Sequence, residues 1–139
     1  MTDGLVTIYS FDDSSAADTV GSNDGAVMGG GVSFAPGVIN DAAVFDAADG
    51  YIEIPDLGNW PSVTLECWVM EHAFAGIQGI VSTWQWAPGK VHFKFQENEI
   101  QVDKNSGSKI RLAAEPNLWY HIAYTSDEAT QELRLYVNG

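Results

Sequence analysis

Residues 131–139 read QELRLYVNG, and how they alternate decides the fold class. Leu133, Leu135 and Val137 fall on one side and Glu132, Arg134 and Tyr136 on the other, the two-residue period of a half-buried strand. Asn138-Gly139 then supplies the residue pair that most readily takes the left-handed conformation of a tight hairpin turn. The same alternation recurs upstream. WYHIAYT (119–125) sets Tyr120, Ile122 and Tyr124 against His121, Ala123 and Thr125. VTLECWVM (63–70) sets Val63, Leu65, Cys67 and Val69 against Glu66, Trp68 and Met70. KVHFKFQ (90–96) sets Val91, Phe93 and Phe95 against His92, Lys94 and Gln96.

Shorter runs with strand character lie at 5–11, 26–29, 32–35, 42–46, 51–55, 79–84, 99–103 and 109–113, with Gly, Asn, Asp and Pro between them. No stretch carries a convincing helical period. Eleven or twelve short strands at regular spacing predict an all-β sandwich, and no repeat or linker divides residues 1–139, so one domain is expected.

A formal charge of −13, from 6 basic and 19 acidic residues, argues against nucleic acid as a partner, because phosphate recognition needs clustered Lys and Arg. No apolar run of membrane-spanning length is present, so no membrane insertion is expected. The N-terminus MTDGLVTIYSF does not read as a secretory signal, which leaves cytoplasmic synthesis, a virion surface or an excised extracellular domain as settings. Cys67 is the single cysteine and sits in a strand run, where a small buried hydrophobe is expected.

Seven stretches stand in a telling order: GLVTIYSFDD (4–13), AADTVGSNDGAV (16–27), GVSFAPGVINDAAVFDAADGYIEIPD (31–56), VTLECWVM, GIVSTW (79–84), NLWYHIAYT (117–125) and LRLYVNG (133–139). In that order they resemble a laminin-G-like, concanavalin A-like lectin domain over almost the whole chain. The resemblance implies an antiparallel jelly-roll β-sandwich of the lectin/glucanase type. It also implies two or three strands after the Val-Asn-Gly element, which residues 1–139 do not include. An open sheet edge completed by another subunit in a homo-oligomer, a shorter closure of the sandwich, or an incomplete domain is expected on that ground.

Candidate ligand-binding residues come from the polar sides of the alternating strands. If those strands share one sheet, Trp68, His92, Lys94, His121, Arg134 and Tyr136 gather on one outer face. An aromatic ring stacks on the apolar face of a sugar while His, Lys and Arg donate to its hydroxyls or carboxylates. The competing expectation is that this face packs against a neighbouring subunit. STWQWAPGK (82–90) adds Trp84 and Trp86, two apart beside a Pro-Gly turn. In FDDSSAADTVGSNDG (11–25), Asp12, Asp13, Asp18, Asn23 and Asp24 crowd oxygen donors of the kind calcium needs, and the resemblance implies a structural calcium near this loop. Their spacing is not that of an EF-hand, and an ordinary Asp/Asn turn network is the alternative.

Catalytic readings fit poorly. Glu97, Glu99, Gln101 and Asp103 share one side of ENEIQVD (97–103), yet Glu97-Asn98 reads as a turn and the alternating carboxylates of a sandwich glycosidase are incomplete. No serine sits on a nucleophile elbow, no His/Cys spacing suits zinc, and MGGGVSF lacks the lysine of a phosphate loop. A non-enzyme is expected. Two functions remain: a non-catalytic carbohydrate-binding or adhesion module, or a structural assembly protein such as a phage capsid-decoration or tail component. The expected partner is accordingly a glycan or another protein subunit.

Overall fold

The computed structural model describes residues 4–83, 90–103 and 109–139. Among these every regular element is a strand, and every ladder is antiparallel. The chain is thus all-β, and it divides into two compact units, residues 1–59 and 60–139.

In the first unit, β1 (Ala26–Met28) pairs with β4 (Tyr51–Glu53), and β2 (Val32–Pro36) forms a hairpin with β3 (Asp41–Phe45). The β2–β3 turn ends on Asn40 at a φ of 50°, a conformation asparagine tolerates better than most residues. The strand predicted over 5–11 does not form. Its one ladder contact is an isolated bridge from Tyr9 to Asp18, and Phe11 turns to a φ of 65°, which ends any extended run. The physical reason lies in Asp18: its carboxylate accepts the Ile8 N–H at 3.1 Å, so a side chain takes a donor that a neighbouring strand would have used.

The second unit contains a two-sheet sandwich. One sheet has the order β11-β10-β5, from β5 (Ser62–Met70), β10 (Trp119–Asp127) and β11 (Glu132–Val137). The other has the order β6-β7-β8-β9, from β6 (Ile77–Ser82), β7 (His92–Gln96), β8 (Glu99–Asp103) and β9 (Lys109–Ala113). Phe93, Phe95, Ile100 and Val102 of the larger sheet meet Ile122 and Tyr124 of the smaller, with the Phe93 and Tyr124 rings 6.3 Å apart. Each fully buried side chain of this kind contributes about 1.5–3 kcal/mol, so this seam is the main stabilising feature of the unit.

Local chemistry fixes the register. Glu97 and Asn98, at φ values of 57° and 61°, close β7 onto β8 as a two-residue turn whose twist matches the strands it joins. This is where the sequence predicted a turn. At the end of β11, Asn138 and Gly139 have φ values of 56° and 95°, the left-handed pair expected of Asn-Gly. Asn138 also extends the β10 ladder, donating its N–H to the His121 carbonyl and accepting the His121 N–H on Oδ1.

Candidate glycan-binding face

Because strands alternate, each sheet of the second unit carries an outer face opposite the core, and the two outer faces differ. On the three-stranded sheet the register aligns the outward side chains in rows. Trp68 lies opposite His121; Glu66, Ala123 and Tyr136 form the next row; then come Thr64, Thr125 and Arg134; Ser62, Asp127 and Glu132 form the last. This surface is open: Trp68 is 44 % exposed and Tyr136 is 43 % exposed.

The Trp68 and His121 rings pack with centroids 5.2 Å apart and planes tilted by 53°, so the imidazole steadies the indole from the side. Along β11, Glu132, Arg134 and Tyr136 project on the same side. Hydrogen bonding to Tyr136 and the charge of Glu132 hold the Arg134 guanidinium in its charged form, its pKa raised above the ordinary value. The face therefore offers a stacking ring, a second ring with a hydroxyl, an imidazole, a guanidinium and two threonine hydroxyls. These are the groups that hold an apolar ring face while meeting its rim of hydroxyls.

His92 and Lys94 do not join this face, which corrects the expectation that all six residues share one sheet. Both lie on β7 of the four-stranded sheet, where His92 aligns with Asp103 and Lys109, and Lys94 with Gln101 and Arg111. Alternation placed them correctly on the non-core side of their own strand; it could not say which sheet that strand enters. Their surroundings are closed as well. Lys94 is 5 % exposed, while Gln101 and Asp103 are 2 % exposed. Asp103 lies 4.0 Å from the Lys94 ammonium and 3.9 Å from that of Lys109, and Arg111 reaches Glu99 at 3.8 Å. Burial pushes the His92 imidazole below its ordinary pKa, against the opposing pull of Asp103.

Behind Trp68, Cys67 faces the core side, opposite Ile122 in the β10 ladder. Burial, with Glu66 adding to it, pushes the thiol up to about 12, so it stays protonated and unreactive as a small hydrophobe would.

In the first unit the acidic loop is organised by Asp18. Its Oδ1 accepts the N–H groups of Ile8 and Val20, and its Oδ2 accepts the Asn23 N–H and side-chain amide. Burial alone would raise its pKa; donors from Val20, Ile8, Asn23 and Thr7 outweigh that and hold the carboxyl well below the usual carboxylate range. Asp24 accepts the Asp18 N–H, Asp13 accepts the Ser15 hydroxyl, and Asp12 accepts from Asn40 and Asp41. The oxygens of Asp12, Asp13, Asp18 and Asp24 thus work as acceptors for local donors. Among the described residues no three His, Cys, Asp or Glu side chains are grouped so as to hold a metal ion.

Trp84 and Trp86 lie outside the described residues. Glu66, Ala123, Thr64 and Thr125 belong to the open face and were missed from sequence. The alternation marks each as outward, but only the β5–β10–β11 register brings them beside Trp68 and Tyr136.

The fold places this chain in a class of β-sandwich domains, and comparison specifies it. Residues 46–139 match the family model described as the concanavalin A-like lectin/glucanases superfamily, and the chain belongs to that family. No curated protein sequence matches the chain significantly. Among solved structures, the chain is similar to domain 4 of AbnA, a GH43 extracellular arabinanase from Geobacillus stearothermophilus, solved in complex with arabinotriose. That likeness has a TM-score of 0.73 at 20 % identity and covers 94 % of this chain and 69 % of the other.

Proposed function

We propose that this chain is a non-catalytic carbohydrate-binding module whose ligand lies on the outer face of the β11-β10-β5 sheet. The observation that carries the reading is the exposed Trp68 ring, braced by His121 at 5.2 Å and set in an open face with Tyr136 and Arg134. An exposed tryptophan held in place loses little entropy when a sugar stacks on it. The fold shared with a domain solved with arabinotriose supports the same direction, whereas the assembly alternative gains no support from it.

The non-catalytic part rests on the carboxylates. Glu99 and Asp103, four residues apart on one side of β8, are paired with Arg111 and with two lysines, and a carboxylate neutralised in this way is a poor proton donor or nucleophile. Glu132 is paired with Arg134, and Asp127 caps its own turn by accepting from Ala129 and Thr130.

Titration of the chain with a panel of oligosaccharides, followed by tryptophan fluorescence and calorimetry, tests the reading. Binding by the native chain and its loss in Trp68→Ala are expected. A glycan that binds the Trp68→Ala variant as well as the native chain would remove this face from the function.

A further inference from the structure

Resting on that reading, we infer that the face binds an uncharged glycan chain through two separate stacking positions, Trp68 and Tyr136, with His121 and Ala123 of the central strand as the floor between them. The register carries the geometry. Trp68 aligns with His121 on the central strand and Tyr136 with Ala123, two residues further along and on the far side of that strand. Two strand spacings of about 4.8 Å and two residues of about 3.4 Å place the two Cα atoms about 12 Å apart on a diagonal. That is further than one sugar ring spans, so the two aromatic side chains serve two sugars of the same chain. The diagonal crosses β10 between His121, which packs against Trp68, and Ala123, whose methyl leaves the half toward Tyr136 unobstructed, while Glu66 and Thr125 border it with hydrogen-bonding groups.

Charge selects the class of sugar. The face carries Glu66, Asp127 and Glu132 against one guanidinium, Arg134, which Glu132 already engages. The whole chain, this face included, carries a formal charge of −13. A uronic acid chain laid on this diagonal would bring its carboxylates onto a face where three carboxylates stand against one guanidinium, whereas neutral hydroxyls find acceptors in those carboxylates. A second copy of this chain, equally acidic, is disfavoured as the occupant for the same reason.

Calorimetry with arabinotriose, xylotriose and cellotriose, their disaccharides, and a galacturonic acid trimer as the charged counterpart tests this. Native chain, Trp68→Ala, Trp68→Phe, Tyr136→Ala and Ala123→Gln are compared, with circular dichroism confirming that each folds. A neutral trimer is expected to bind more tightly than its disaccharide and than the galacturonic acid trimer. Trp68→Ala and Tyr136→Ala should each weaken the trimer about tenfold, Trp68→Phe should retain most of the affinity, and Tyr136→Ala should erase the advantage of trimer over disaccharide. Tighter binding of the galacturonic acid trimer, or no effect of Tyr136→Ala, would overturn the two-position neutral platform and leave the glycan reading standing. If no probe binds the native chain, the glycan reading fails and takes this inference with it.

Discussion

The two outer faces of the 60–139 unit are built from the same alternating pattern and end in opposite states. On the β11-β10-β5 sheet, outward residues are aromatic or uncharged near the Trp68 end and stand open to solvent. At the centre of the β6-β7-β8-β9 sheet, on β7 and β8, they include Lys94, Gln101 and Asp103, almost wholly buried, with Asp103 between the Lys94 and Lys109 ammonium groups. A polar side chain on the non-core side of a strand is therefore not, by itself, a surface residue. Where such a face is closed, charge has to be matched internally; where it is open, water does that work and the side chains are free to meet a ligand.

The largest test of this contrast is Asp103→Ala. It removes the buried carboxylate that lies 4.0 Å from the Lys94 ammonium and 3.9 Å from that of Lys109, at an expected cost of about 3–5 kcal/mol in denaturant unfolding. Arg134→Ala, which removes one partner of an exposed ion pair on the open face, should cost under about 1 kcal/mol. Equal losses would mean that the two faces do not differ as described.

Adjacent residues sharpen the comparison further. Trp68 and Cys67 point to opposite sides of β5, so acrylamide should quench Trp68 fluorescence, read as the difference between native chain and Trp68→Phe. Cys67, its thiol pushed up to about 12, should resist iodoacetamide at pH 8 until the protein is unfolded. Rapid alkylation of the native chain would contradict the placement of Cys67.

A pH effect belongs to the 1–59 unit. The Asp18 carboxyl is held below its unfolded value, so its contribution to stability is complete above about pH 4 and is lost as pH falls toward the depressed folded value. Asp18→Asn should lower stability at neutral pH and flatten the fall below about pH 4. An unchanged acid profile would show that the loop does not depend on that carboxylate. A gain in stability is expected at the β7–β8 turn, where Glu97 adopts a positive φ that asparagine or glycine takes more readily. Replacing Glu97-Asn98 by Asn-Gly should add about 1 kcal/mol of stability.

Much of this architecture is legible in the sequence because alternation and turn chemistry are local. Residues 63–70, 119–125 and 131–137 declare their buried sides, and Glu97-Asn98 and Asn138-Gly139 declare left-handed backbone. Pairing is not local. The strand carrying His92 and Lys94 looks like the strand carrying Trp68, and only long-range register assigns them to different sheets. The segment 5–11 fails for a related reason: its alternation is real, but the Asp18 carboxylate, ten residues from Ile8, captures a backbone donor first. Trp68, His121, Arg134 and Tyr136 could thus be named together from sequence, whereas Ala123 and Glu66 became meaningful only once rows across three strands were known.

The most direct test is an amide and indole chemical-shift titration of the 139-residue chain with arabinotriose. Shifts centred on Trp68, His121, Ala123 and Tyr136, with Lys94, Gln101 and Asp103 unmoved, are expected. Shifts centred on β7 and β8 instead, or none at saturating sugar, would contradict the assignment of the open face as the binding surface.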